Sequence, residues 1–214
     1  MSKSELDVFV ETNRDFASAL LNSVGLKSGV RSVHIVFGCI YGSDGKSRPD
    51  LRGKPCILLG YEKNKQKYDF IGGKCESKHP DNAVQFLETF FKELYEEISV
   101  KIHTPLENII REILRCGRDN KSLLVVCGVQ GISSVKINKV ADKKKASKKA
   151  IHHSYLEMDH VMYFGKKDSL IKENSTSYVQ QQFKKVFEIV KDIEDPPLAR
   201  KIMTTCWSGK LADQ

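Results

Sequence analysis

Apolar positions recur along this chain with two different periods, and the switches between them divide it into elements. From Ser4 to Val24, the residues Leu6, Phe9, Val10, Phe16, Leu20 and Leu21 fall at roughly helical intervals, and Gly25 supplies a stop. Ser32 to Tyr41 and Pro55 to Tyr61 are rich in Val, Ile, Leu and aromatic residues and read as strands, with a Gly, Pro and Asp-rich loop between them. Lys67 to Ile71 reads as a third strand running into Gly72-Gly73. A helix is predicted from Asp81, placed after Pro80 to act as its N-cap, to Ile98. Its buried stripe is Leu87, Phe90, Phe91, Leu94 and Ile98. Leu106 to Leu114 predicts another short helix and Ser122 to Val129 a buried strand. Strand-like patches recur at Ser134 to Ile137 and Val161 to Phe164. A last long helix is predicted from Val179 to Ile193, ended by Pro196-Pro197. No internal repeat interrupts this order, which describes one continuous α/β domain.

The stretch Lys92-Glu93-Leu94-Tyr95-Glu96-Glu97 sets three carboxylates on one side of the acidic helix, within about a third of its circumference. Like charges three and four residues apart each destabilise a helix by about 0.2–0.5 kcal/mol, so the arrangement wants a reason. A solvated acidic face is one reading. A divalent cation is another, because hard cations such as magnesium take oxygen ligands and bridge carboxylates to substrate phosphates. Before the helix comes Phe70-Ile71-Gly72-Gly73-Lys74-Cys75-Glu76, an apolar run closing on a double glycine. Such a turn offers exposed backbone groups and a cation, suited to a metal or a phosphate.

The order Gly-Gly-Lys-x-Glu, a helix, then Lys-Glu-Leu-x-Glu-Glu-x-Ser-Val resembles the Nudix box, G-x5-E-x7-R-E-U-x-E-E-x-G-U. Gly73 stands at the opening glycine, Glu93, Glu96 and Glu97 at the three C-terminal glutamates, and Leu94 and Val100 at aliphatic positions. Three departures accompany the likeness. Gly73 and Lys92 are 19 residues apart where the box has 14, so the loop carries five more. The first glutamate of the box falls on His79 counted forward and on Val84 counted back, neither of them an acid. Lys92 replaces the arginine and Ser99 the last glycine. Lysine keeps the charge but lacks the rigid bidentate fork, so any bracing of the loop must be made differently.

The resemblance implies a Nudix-like α/β/α sandwich with a mixed sheet, a single domain with an added N-terminal helix and a C-terminal helix. Residues 1–30 would form the helical extension, 31–195 the hydrolase domain and 196–214 a tail holding Trp207, the one tryptophan. It implies Mg²⁺- or Mn²⁺-dependent hydrolysis of a phosphoanhydride, with Glu96 and Glu97 as metal ligands helped by Glu93 and the Gly73 carbonyl. The general base stays open between Glu93, Glu97 and a distal acid, for which Glu157 is the candidate; an exposed loop acid is the alternative for Glu157. Lys74, Glu76 and Lys92 fall on the substrate side of the box. Lys74 touches a phosphate or covers the loop, and Glu76 joins the outer shell of the metal or caps a turn.

Charge narrows the substrate. The 214 residues carry a formal net charge of +8, concentrated in Lys143-Lys144-Lys145-Ala146-Ser147-Lys148-Lys149. This run reads either as a solvated loop or as a patch that draws in a polyanion without reading base sequence, since no aromatic interleaves it. With Lys143, Lys144 and Lys145 as substrate contacts, a highly anionic substrate is expected: capped RNA, an inositol pyrophosphate or a nucleoside diphosphate-linked compound. The alternative function is a catalytically degenerate Nudix-like module that binds nucleotide or RNA. The oligomeric state stays open, a dimer included.

The remaining features exclude rather than assign. The six cysteines form no CxxC pair and no zinc spacing; Cys39, Cys56 and Cys127 read as small core residues, whereas Cys75 in the glycine loop is expected to be exposed. The six histidines form no ligand pattern, although His152-His153 beside the lysines would gain charge near pH 6. The first residues show no signal-peptide pattern, and the longest apolar runs fall far short of the roughly 20 residues that span a bilayer. A cytoplasmic, reducing location without a membrane partner is expected.

Overall fold

A computed structural model describes residues 3–40, 49–62, 64–98, 100–102, 105–128, 135–137, 158–191 and 210–211. The first helix, α1 (Lys3–Ser23), matches its apolar pattern. It ends as glycine lets helices end: Gly25 takes φ +67°, its N–H donates to the Asn22 carbonyl at 2.9 Å, and the Leu26 N–H donates to the Leu21 carbonyl at 3.0 Å. Inside α1 the buried Asn13 donates to the Phe9 carbonyl and accepts from the Leu106 N–H at 2.7 Å. One polar side chain thereby stitches the helix to a distant turn without an unpaired buried group.

The strands are β1 (Ser32–Ile40), β2 (Pro55–Glu62), β3 (Lys67–Asp69), β4 (Ile71–Lys74), β5 (Val100–Ile102), β6 (Ile110–Cys116), β7 (Ser122–Gly128), β8 (Val135–Ile137), β9 (Met158–Gly165) and β10 (Lys210–Leu211). Eight form one mixed sheet in the order β10-β9-β2-β1-β7-β6, with β3 added to β2 and β4 to β1; β5 and β8 pair separately. β1 runs parallel to β7 and antiparallel to β2 and β4. The other helices are α2 (Asn82–Ile98), α3 (Leu170–Asn174) and α4 (Ser177–Val190).

Alternation along β1 and β2 divides the core in two. Val33, Ile35, Phe37 and Leu58 face α1 and α2, where they meet Leu87, Phe90 and Leu94. Val36, Ile57 and Leu59 face α4 and meet Val179, Val186 and Phe187. The fold is thus an α/β/α sandwich around a mixed sheet, the class expected. Phe9 of α1 packs on Phe90 and Phe91 of α2, at centroid distances of 6.5 and 4.8 Å. α1 therefore belongs to the main core. Cys39, Cys56 and Cys127 are buried as expected, with the Cys39 and Cys56 thiols side by side at 3.3 Å.

Three elements differ from the sequence pattern. Leu106 to Leu114 is not a helix: Leu106–Asn108 is a single 3₁₀ turn, and β6 follows, paired antiparallel with β7. Lys67 to Ile71 is not one strand. The chain leaves β2 at Asp69 and joins β1 at Ile71, because Asp69 turns back on its own backbone, its Oδ1 accepting from the Phe70 N–H at 2.9 Å and the Thr176 hydroxyl at 3.0 Å. The last long helix begins two residues earlier, capped by the Thr176 hydroxyl, and its described span ends at Val190, before the Pro196-Pro197 pair. The short α3 had no signal strong enough to predict it.

Candidate metal and phosphate site

Two elements position the site. β4 is short because it is glycine-rich, and it hangs from β1 with Gly72 opposite His34 and Gly73 opposite Val33. Gly72 takes φ +140°, and a Cβ there would lie 2.1 Å from the Val33 carbonyl oxygen, so only glycine lets the strands approach this closely. α2 is begun by Asp81, whose Oδ1 accepts the Ala83 N–H at 2.8 Å, as its predicted role as N-cap requires. The Arg14 guanidinium beside Asp81 holds that carboxyl below its usual range and joins the helix start to α1.

The acidic ridge of α2 meets the glycine bend. Glu97 Oε2 accepts the Gly72 N–H at 2.6 Å. The Glu93 carboxylate lies over Gly73: a Cβ added there would come within 2.7 and 2.9 Å of its two oxygens. Both acids are nearly enclosed, Glu93 at 8% exposure and Glu97 at 5%. Carboxylates are buried this far only where hydrogen bonds or cations compensate them. The two residues three and four positions apart from Glu93 therefore do different things, since Glu96 stays half-buried and faces Lys92 at 3.8 Å.

Lys92 forms a close ion pair with Glu76. Burial alone would pull the Lys92 ammonium down, but the hydrogen bond it donates to Glu76 and the charges of Glu96, Glu76 and Glu93 raise it above its usual value, so it stays charged. The acid that pairs with Lys92 is Glu76, three residues after Gly73. The sequence marks Glu76 in Gly-Gly-Lys-x-Glu, but its pairing with Lys92, sixteen residues on, depends on how the loop folds back. The loop is fastened elsewhere too. The Cys75 N–H donates to the Arg31 carbonyl, the Gln85 amide nitrogen donates to the His79 carbonyl, and the Asp81 N–H donates to His79 Nδ1. Cys75, expected to be exposed, is half-buried, with its thiol toward the Gln85 carbonyl.

Lys74 sits exposed at the end of β4. On the opposite face from α2, His34 packs against Tyr178 at a centroid distance of 5.0 Å; burial pushes its imidazole below the usual value, against the pull of Asp69. It is neutral near pH 7. Glu157, Lys143, Lys144, Lys145, His152, His153, Cys206 and Trp207 lie outside the described residues.

Among the described residues, no three His, Cys, Asp or Glu side chains converge as a ready metal cluster. The expected trio of glutamates is split, because Lys92 draws on Glu96 and the Gly72 amide takes one oxygen of Glu97. What remains at the bend is two enclosed carboxylates against a glycine with no Cβ. That donor set fits magnesium or manganese in the way hard cations are held beside phosphates, by one or two carboxylates with substrate and water completing the shell.

No family model matches the chain, and no curated protein matches it. Among solved structures it is similar to a bifunctional NMN adenylyltransferase/ADP ribose pyrophosphatase from Francisella tularensis, a structure complexed with AMP and a manganese ion. The identity is 15% and the TM-score 0.37, over 86% of this chain and 48% of the other, so the chain spans about half that protein's length. A superposition of this quality fixes neither a family nor an activity. Among the described residues no helix is long and apolar enough to cross a membrane.

Proposed function

We propose that the protein is a Mg²⁺- or Mn²⁺-dependent, Nudix-type hydrolase of phosphoanhydrides. The observation that carries this reading is the convergence of Glu93 and Glu97 on the Gly72-Gly73 bend, two enclosed carboxylates from one helix against a backbone cleared by glycine. Glu93, Glu97 and the Gly73 carbonyl would hold the cation, with Glu96 recruited from Lys92. When bound, such a cation neutralises charge developing on the phosphate oxygens.

The chain's own residues do the rest. A carboxylate, Glu93, Glu97 or the distal Glu157, accepts a proton from the attacking water as its oxygen bonds to phosphorus and the bridging oxygen departs with its electron pair. Proton transfer of this kind contributes about 10²–10⁴ in rate. Glu97 also holds the Gly72 amide, which fixes the bend before substrate arrives. Lys74, exposed beside it, supplies a cation for a substrate phosphate, and the Lys92–Glu76 pair braces the loop. The run Lys143, Lys144 and Lys145 favours highly anionic substrates, such as capped RNA, inositol pyrophosphates or nucleoside diphosphate-linked compounds.

The test is a panel of these substrates titrated with magnesium and manganese. Phosphate release that Glu97→Gln abolishes while thermal unfolding is unchanged is the expected result. Nucleotide or RNA bound equally well after chelation, with no turnover on any substrate, favours the second reading, a degenerate module that binds without hydrolysis. The split of Glu96 from Glu93 and Glu97 by Lys92 is the observation on its side.

A further inference from the structure

A second concavity lies at the other end of the sheet. It occupies about 670 Å³ between the 3₁₀ turn Pro49–Leu51, the start of β2, the turn after β9 and the end of α4. Pro55 is opposite Ile40 and Cys56 is opposite Gly165, whereas Gly72 is opposite His34. Six residues of β1 separate the two ends, about 20 Å at about 3.3 Å per residue. The cleft shares no residue with the glutamate site.

Its lining has a definite chemistry. Leu51, Pro55, Leu170 and Phe187 give it an apolar floor, and Gly165 makes room for that floor, since a Cβ there would lie 2.5 Å from Leu51 Cδ2. Lys54, Lys166, Lys167 and Lys191 surround the floor, against Asp50 and Asp168. Several of these groups are already held in place. Lys54 donates to the Asp50 carbonyl oxygen at 2.7 Å, an uncharged acceptor that orients the ammonium without neutralising it. Glu188 ties Lys166 to Lys191 at 3.0 and 2.6 Å. Asp168 accepts the Leu170 N–H, which engages it in its own turn. The volume falls within the range of about 300–1,000 Å³ typical of small-molecule sites, which are largely apolar with a few fixed polar groups.

We infer that this cleft binds a small organic anion, its apolar or aromatic body on Leu51, Leu170 and Phe187 and its phosphate or carboxylate on Lys54 and Lys167. Charge complementarity selects the anion: the ammonium groups of Lys54, Lys166, Lys167 and Lys191 outnumber the carboxylates of Asp50, Asp168 and Glu188, and Glu188 is shared between Lys166 and Lys191. The body is selected by the lining, where Leu51, Pro55, Leu170 and Phe187 offer a bare inorganic phosphate no polar partner. Both a nucleoside monophosphate and a fatty-acid carboxylate have this chemistry.

Anilinonaphthalene sulfonate, an aromatic body with one anionic group, is the probe. Titrated into the full chain, it is expected to bind saturably at one site. Lys54→Glu with Lys167→Glu is expected to weaken that binding at least tenfold, while Lys54→Arg with Lys167→Arg restores it. Lys184→Glu with Lys185→Glu, exposed on α4 and outside the cleft, is the control for net charge. Displacement of the probe by adenosine monophosphate identifies a phosphate ester as the ligand type, and displacement by decanoate identifies a carboxylate. The inference is overturned by a probe that binds without saturation, by equal weakening in the control, or by displacement with neither competitor. Glu97→Gln leaves all these readouts unchanged, so the outcome stands apart from that of the hydrolase test.

Discussion

Gly73→Ala isolates the contact on which the hydrolase reading depends. The added methyl would lie 2.7 Å from Glu93 Oε1, and ordinary contact begins at 3.4 Å, so the carboxylate must retreat by about 0.7 Å. A misplacement of about 1 Å at a reacting centre costs on the order of 10²-fold in rate. We therefore expect kcat/KM to fall between about tenfold and a hundredfold, or about 1.4–2.7 kcal/mol of transition-state stabilisation. Stability should barely change, by less than about 1 kcal/mol, because the atoms that yield end a flexible side chain and alanine narrows the unfolded ensemble. Gly72→Ala is the contrasting variant. There the methyl meets backbone, at 2.1 Å from the Val33 carbonyl oxygen and with φ at +140°, so the β1–β4 ladder itself must open. A loss of more than about 2 kcal/mol is expected. The assay pairs urea unfolding with Mn²⁺ calorimetry and turnover on whichever substrate the panel identifies. Gly73→Ala with wild-type turnover and wild-type Mn²⁺ affinity would refute the placement of the ion beside Glu93.

Other expectations follow from contacts already described. A double-mutant cycle of Glu76→Gln and Lys92→Met should show a coupling of about 0.2–1 kcal/mol in unfolding, as for partly exposed pairs, with turnover falling more than stability. No coupling in either readout would mean that the pair does not brace the loop. Asp69→Ala removes the acceptor for Phe70 and Thr176 from a site only 8% exposed, and should cost about 1–3 kcal/mol by urea titration; a loss under 0.5 kcal/mol, about the effect of an ordinary surface change, would contradict its role at the strand switch. Asp81→Asn keeps an oxygen for the cap but removes the charge beside Arg14. Because the folded state lowers the pKa of Asp81, the pair stabilises fully above the unfolded value of 3.8 and loses its effect as pH falls through the folded value. The difference in melting temperature between wild type and Asp81→Asn should therefore be present at pH 7 and shrink in strong acid; a difference that grows as the pH drops would reverse the sign of the argument.

Long periodic segments are legible in the sequence. α1, α2 and α4 bury the faces that their apolar spacing marks, and β7, with no polar side chain after Ser122, is buried between β1 and β6. β6 misled for a physical reason. Its register shifts between Ile110 and Glu112, and the irregularity leaves Ile110 and Ile113 buried in the same core cluster, three residues apart rather than two. A bulged strand thereby imitates helical spacing. The third predicted strand was split by a side chain, Asp69, whose partner Thr176 lies more than a hundred residues away, beyond the reach of any local pattern. At the site, Glu93, Glu97, Gly73 and the Asp81 cap were all legible as local features. The pairing of Lys92 with Glu76 was not, since it depends on how the loop between them folds back.

The loop between β4 and α2 is held at both margins: the Cys75 amide is bonded to the strand-entry residue Arg31, and Asp81 is anchored to Arg14, with Gln85 reaching back to His79 and to the Val30 amide. A connection secured in this way fixes the glycine bend and the helix start through its two ends. An engineer could graft a recognition peptide at the Ser77–Lys78 link and leave the contacts of His79, Asp81 and Gln85 in place.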